Sequence, residues 1–171
     1  MSGMRDRPFR SAAGLPTVES TSFDVEGIPM REERFREYIR RFNLEDDTAF
    51  DDYLTPDMHM KNGTLEFDGV DGMKHHYRDL IWPDFEERLT VPRFVSDAGR
   101  AAIQMNTVFV AKHDAAQSLF GSVKKGETFE FDGVIMYEID ETDRFSDILV
   151  AYNSFVHTDL DGTARDLGIP H

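Results

Sequence analysis

The sequence contains no cysteine. That excludes a disulfide framework, a thiol nucleophile, cysteine-ligated zinc and iron–sulfur clusters. Basic residues are scarce: 19 Lys and Arg stand against 33 Asp and Glu, a formal net charge of −14 over 171 residues. The richest arginine stretch, Arg31 to Arg41, is itself diluted by Glu32, Glu33 and Glu37. So negative a chain repels phosphate backbones, and no nucleic-acid partner is expected. Long apolar runs are also missing. The longest uncharged one, Ala101 to Ala111, has eleven residues, against the roughly 20 that a membrane helix needs, so no membrane partner is expected. Arg5, Arg7 and Arg10 have no apolar block after them of the kind a signal peptide requires, which points to a cytoplasmic protein. Finally, there is no HxH, HExxH, paired-carboxylate or glycine-rich phosphate motif. The expectation is no metal and no cofactor.

What the chain does have is 14 Phe, 5 Tyr and 8 Met, enough large, soft groups for a core and for an apolar pocket besides. Residues 1–28 show no sustained period and are taken as an extended N-terminal arm, followed by one domain over 29–158 and a tail over 159–171. From Pro29 onward, Phe35, Tyr38, Ile39 and Phe42 fall on one stripe of an amphipathic helix. A second short helix, capped by Asp46 or Asp47, presents Phe50, Tyr53 and Leu54 before Pro56. Asp57 to Asn62 is a short strand. A third helix, capped by Asp71, carries Met73, Tyr77, Leu80 and Ile81 as far as Pro83. The period then changes to two over Leu89–Ser96, Ala101–Lys112, Glu127–Asp140 and Phe145–Val156, with links short enough for hairpins. Residues 113–126 form one long link, a flap or a short helix. Helices first and long strands after predict an α+β fold, a curved antiparallel sheet wrapped around three N-terminal helices.

The long strands carry apolar residues on both faces, more than a half-solvated sheet needs. On the last strand Ile148, Val150, Tyr152 and Ser154 share one face, and Leu149, Ala151, Asn153 and Phe155 the other. Ile135 and Tyr137 lie on an apolar face of the strand before, and Gln104 and Asn106 are polar groups on a largely apolar strand. A polar group on a buried concave face must be hydrogen-bonded, either by a network or by a ligand.

Several segments in this order resemble the SnoaL-like branch of the nuclear transport factor 2-like superfamily, over about residues 30–157. They are Tyr38-Ile39-Arg40-Arg41-Phe42-Asn43-Leu44-Glu45-Asp46, Leu54-Thr55-Pro56-Asp57, Gly69-Val70-Asp71-Gly72-Met73 and Trp82-Pro83-Asp84-Phe85. Relatives there include ketosteroid isomerase, scytalone dehydratase, polyketide cyclases and bacterial diarylpropane-type lyases. The resemblance implies a cone whose interior is a pocket. Tyr38 is similar to an oxyanion-donating tyrosine on the first helix, and Tyr152 to an aromatic pocket residue on the last strand. Asn62 falls where ketosteroid isomerase has its general-base aspartate, and an amide cannot take that proton. Arg93 and Lys112 fall near two catalytic histidines of scytalone dehydratase, neither of which is present. Both departures point away from those two reactions.

The expected function is therefore a cofactor-independent lyase using acid–base chemistry to break a C–C or C–O bond in a small aromatic compound. Lignin-derived diaryl molecules are among the substrates that the resemblance implies. Tyr38, Arg93, Lys112, Tyr137 and Tyr152 are the expected catalytic set, with the base drawn from Lys61, Lys112, His59 or a tyrosinate near Arg93. Substrate contacts are expected from His59, Lys61, Asn62, His76, Trp82, Gln104, Asn106, Ile135, Ile148 and Val150. One of the adjacent His75 and His76 should face solvent, because neighbours on a helix diverge by about 100°. An acidic exterior would then surround a neutral-to-basic interior. The alternatives are a polyketide-type aldol cyclase or isomerase, and a non-catalytic ligand-binding or dimerisation module. A homodimer is expected through an apolar outer sheet face that includes Phe109, Ala151 and Phe155.

Overall fold

In a computed structural model, which describes residues 29–168, the helical stripe closes on the sheet. Helix α1 (Glu32–Phe42) buries Phe35, Tyr38, Ile39 and Phe42, with Glu32 and Glu33 in its first turn and Arg40 and Arg41 in its last. That charge order suits the helix dipole. Arg41 ties the turn that follows by donating to Asp46 and Asp52 at 2.7 and 2.6 Å, which leads the chain into α2 (Thr48–Tyr53). Asn43, just past α1, acts as a two-sided clamp. Its amide donates to the Leu89 carbonyl and accepts from the Leu89 N–H, both at 2.8 Å. The helix end is thereby bonded to the middle of a strand as another strand would be.

The remaining elements are β1 (Leu54–Asn62), β2 (Leu65–Asp68), α3 (Gly69–Lys74), which widens into a π-wound segment (His75–Ile81), then β3 (Phe85–Asp97), β4 (Arg100–Ala111), β5 (Ala115–Ser118), β6 (Gly121–Val123), β7 (Thr128–Ile139), β8 (Phe145–Thr158) and β9 (Ala164–Asp166). The main sheet runs β2-β1-β8-β7-β4-β3, with β9 on β8. The architecture is the expected α+β one, with helices grouped at the N-terminal end. One pair departs from the antiparallel expectation: β1 lies parallel to β8, so the sheet is mixed. The long link 113–126 holds a separate two-stranded hairpin, β5–β6. The arm over 1–28 lies outside the described residues, and β9 falls in the segment taken as the tail. No described helix is long and apolar enough to cross a membrane.

The pairing of the main sheet shifts register at four places, and two of these, on β3 and β8, decide which side chains near the cavity face inward. On β3 the pairing shifts between Thr90 and Arg93, around Pro92, a residue that strands tolerate at bulges. On β8 it shifts so that Asp132 pairs with Ser154 but Gly133 with Tyr152, leaving Asn153 as the extra residue. A Cβ at Gly133 would lie 2.3 Å from the Ala151 carbonyl oxygen. Only glycine allows that approach. Beyond the bulge the alternation inverts, so Phe155 turns to the inner face beside Tyr152, contrary to a strict period of two.

Gly133→Ala is therefore expected to lower stability by about 1–3 kcal/mol or more through overpacking. Denaturant titration of the purified variant measures this, and wild-type stability would refute the close approach as a constraint.

Candidate active site

The inner face of β3 reads Phe85, Glu87, Leu89, all buried, while Glu86 and Arg88 point outward and pair at 2.9 Å. Glu87 is thus a carboxyl group among apolar neighbours, opposite Phe109 on β4. It is only 4% exposed, and its Oε2 has no hydrogen-bond partner. Burial, assisted by the negative charge of Glu45, pushes its pKa well above the usual carboxylate value. Burial thus favours its protonated form.

Glu87 borders a cavity of about 620 Å³ between the helices and the sheet, within the range of small-molecule sites. Tyr38 enters it from α1, His76 and Tyr77 from the π-wound segment, Asn62 from β1, Thr107 from β4, Tyr137 from β7 and Tyr152 from β8. Gly63, Thr64 and Leu119 are lining residues that are also exposed. They mark the mouth, between the β1–β2 turn and the β5–β6 hairpin.

Desolvation sets the protonation of the whole wall. It raises the Tyr38 and Tyr77 hydroxyls, with Glu87 adding to both, and raises Tyr137, with Tyr38 adding. Burial pushes Tyr152 up to about 12 despite an opposing hydrogen bond from Asn62. Because the Asn62 amide donates to the Tyr152 oxygen, the hydroxyl proton of Tyr152 remains available to a ligand. Burial, aided by the charge of His75, pulls His76 down to about 4. Its imidazole is neutral at pH 7. The cavity therefore presents one carboxyl biased by burial towards its protonated form, one neutral imidazole and several neutral hydroxyl donors.

Of the residues expected from sequence, the structure brings Tyr38, Tyr137, Tyr152, Asn62, His76, Ile135, Ile148 and Val150 together around this cavity. His75 is exposed while His76 is buried. The other candidates lie elsewhere. Arg93 is exposed and pairs across the outer face with Gln104, which is also exposed. Asn106 likewise lies on the outer face, donating to Glu130 at 2.7 Å and Asp132 at 3.0 Å. The buried face of β4 is the one carrying Ile103, Met105, Thr107 and Phe109, since these meet the inner residues of β7 in register. On β1 the inner residues are Met58, Met60 and Asn62. His59 and Lys61 point out, to Asp68 at 2.8 Å and Glu66 at 3.2 Å. The bond to Asp68 raises the pKa of His59, which favours a surface ion pair over a neutral base. Lys112 closes the end of β4 by donating to the Glu45 carboxylate and the Trp82 carbonyl, each at 2.6 Å. Trp82 is buried behind the wall, stacked on Phe50. The interior accordingly lacks the Lys and Arg side chains expected there, and buried tyrosines with raised pKa values do not serve as tyrosinates.

Glu87, Tyr77, Thr107 and a group of phenylalanines line the cavity without having been expected there. The signal for Glu87 was present: it lies between Phe85 and Leu89 at a spacing of two, which puts an acid on an apolar strand face once β3 is begun at Phe85. Among the described residues no three His, Asp or Glu side chains gather as a metal site would require.

The sequence profile of the SnoaL-like domain matches residues 35–148, a span that runs from α1 into β8. The chain belongs to the SnoaL-like domain family. No curated protein matches the sequence. Among solved structures, this SnoaL-like chain is similar to an LEH-like epoxide hydrolase of M. tuberculosis, at 12% identity and TM-score 0.57 over 71% of this chain and 80% of that one. It is similar to a SnoaL-like polyketide cyclase of Agrobacterium tumefaciens, at 16% identity and TM-score 0.54 over 70% and 87%. A computationally designed 17-OHP binder is similar at 14% identity and TM-score 0.56 over 77% and 95%. At these identities the likeness establishes the fold.

Glu87 also links stability to pH. Its folded-state pKa lies above the usual value of about 4.5, so its contribution is complete below that pH. As pH rises, the unfolded chain releases the proton first, and stability falls until the folded pKa is passed. In Glu87→Gln this component is absent. The variant should match wild type near pH 4 and exceed it at pH 8, the gap growing by up to about 1.4 kcal/mol per pH unit across the window. Urea denaturation of both proteins at several pH values tests this. A gap independent of pH would show that Glu87 ionises normally in the folded state.

Proposed function

We propose that the cavity is the active site of a cofactor-independent lyase acting on a small aromatic compound by acid–base catalysis. One observation carries the reading: a buried carboxyl, Glu87, and a buried imidazole, His76, line a single apolar cavity, with environments that shift their pKa values in opposite directions. Such divergence fits an acid and a base working together. For C–O cleavage, His76 takes a proton from carbon, the electrons form a C=C bond, the C–O bond breaks, and Glu87 protonates the departing oxygen. Transfer of the proton from imidazolium to the Glu87 carboxylate restores the starting state. For C–C cleavage, His76 deprotonates a hydroxyl, the C–C bond breaks to give a carbonyl, and Glu87 protonates the resulting carbanion. The Tyr38 and Tyr152 hydroxyls donate to negative charge developing on oxygen.

Apolar walls from Ile135, Ile148, Val150, Met60 and the phenylalanines support an aromatic or otherwise apolar substrate. The same acid and base would serve an aldol cyclase or isomerase, a reading favoured by the likeness to a polyketide cyclase. Mass spectrometry of products separates them: a smaller fragment supports cleavage, an isobaric product supports cyclisation. Against an aromatic substrate panel, Glu87→Gln and His76→Ala should each lower kcat by about 10²–10⁴-fold while the fold is retained. If wild type turns over a substrate and neither variant loses rate, the acid–base assignment fails. If no wild-type turnover accompanies tight binding, the cavity is a binding site.

A homodimer belongs to the same proposal, on a surface different from the one expected. Phe109 and Phe155 face inward, but Val95, Val134, Met136 and Leu149 are 64, 42, 49 and 44% exposed. Ala102, Met136 and Leu149 lie in register across β4, β7 and β8, with Val134 beside Ala151. The outer face is thus apolar over several strands, which suits the same patch on a second copy. Light scattering at micromolar concentration should give the mass of two chains, and Met136→Asp with Leu149→Asp should give one. A monomeric wild type would refute the dimer.

A further inference from the structure

The cavity wall combines polar groups, among them those of Tyr38, His76, Glu87 and Tyr152, with a cluster of phenylalanines, Phe109, Phe120, Phe131 and Phe155, and with Leu119. Two of these residues, Leu119 and Phe120, come from the β5–β6 hairpin, whose strands pair only with each other. Apolar side chains fix this hairpin to the domain, and hydrogen bonds within it hold its shape. Val123 is buried, and at the base Asp114 accepts from Lys124 at 3.1 Å and from the Lys125 N–H at 2.9 Å. At the tip Ser118 donates to the Gly121 carbonyl at 2.8 Å. Phe120 is the anchor inside: its ring lies 4.4 Å from Phe129, 5.1 Å from Phe85, 5.2 Å from Phe109 and 5.7 Å from Phe155. The same cluster continues through Phe131, 5.8 Å from Phe120, which stacks on Phe155 at 4.1 Å, with Tyr152 tilted 4.6 Å from Phe131. Leu119, half exposed at the mouth, has no such packing partners and borders the cavity instead.

We infer that the β5–β6 hairpin completes a subsite for a planar aryl ring, with Phe120 and Leu119 as specificity-determining residues. The ligand's ring sits against the phenylalanine wall near the mouth, and its oxygen-bearing part reaches inward to Tyr38, Tyr152 and Glu87. Aromatic rings in offset or edge-on contact gain attraction beyond the area they bury, which a saturated ring of the same size does not. The wall therefore favours flat rings over puckered ones. This rests on the reading of the cavity as the chamber that receives an aromatic substrate, but it concerns recognition and not proton transfer.

Calorimetric titration of the full chain with 4-phenylphenol and with 4-cyclohexylphenol separates the two. Wild type should bind the phenyl compound more tightly by roughly tenfold. Phe120→Leu should weaken phenylphenol binding by about that factor, change cyclohexylphenol binding by less than about twofold, and so erase the preference. Leu119→Ala removes a half-exposed side chain that the core does not need, and should weaken both compounds by about threefold. Equal affinities in wild type, or a preference unchanged in Phe120→Leu, overturn the subsite. Preference retained in Glu87→Gln supports it, whereas loss of the preference there would place selectivity at the carboxyl and overturn it. Because the readout is binding, absence of turnover would refute the lyase reading and leave this one standing.

Discussion

The shape of this domain depends on a place where one strand carries a residue more than its neighbour. At Gly133 the absent side chain lets the Ala151 carbonyl come within a distance no Cβ would tolerate, and Asn153 is accommodated as the surplus residue of β8. Without that approach the sheet would continue flat and Phe155 would point to solvent. With it, β8 delivers Tyr152 and Phe155 to the same inner face. The Asn43 clamp on Leu89 acts at the opposite strand edge, drawing β3 against the helix that supplies Tyr38. Bent sheet and tethered helix together enclose a volume that the phenylalanines line without filling.

Enclosure then fixes the chemistry of the wall. The chain carries a net charge of −14, yet the cavity wall is biased towards neutral forms, its one carboxyl being pushed towards its protonated state and its one imidazole staying neutral. Both follow from desolvation, which disfavours the ionised form of either group. The charged residues are sorted outward into pairs such as Arg88 with Glu86 and Lys61 with Glu66. Lys112 shows the sorting at its closest to the site. It neutralises Glu45 at the back of the wall, and Glu45 is the charged neighbour felt by Glu87.

The helical layer was legible in the sequence because burial on a helix imposes a stripe, and Phe35, Tyr38, Ile39 and Phe42 have no second arrangement that would bury them. The strands were legible as strands but not as faces. Both sides of β4 are apolar, with Val108 and Val110 half-buried on the outside, so alternation alone could not choose between the Gln104 and Phe109 faces. Phe155 was misplaced because the bulge that turns it is caused by a glycine on a different strand, a non-local fact. Glu87 escaped notice for a thermodynamic reason: glutamate is so costly to bury that β3 is naturally begun after it. Arg93 and Lys112 were drawn into the site by position in a resemblance, and the Pro92 bulge and the Glu45 carboxylate account for where they lie instead.

The π-wound segment from His75 to Ile81 has one further consequence. A helix so wound turns less per residue than an α-helix, and here two successive side chains, His76 and Tyr77, both border the cavity while His75 is left in solvent. The chemistry of this wall is thus written in the number of residues between Lys74 and Trp82 as much as in their identity. A relative with one residue fewer there could keep a histidine and a tyrosine side by side and still hold a different set toward its ligand, so length in this turn is a variable of function in its own right.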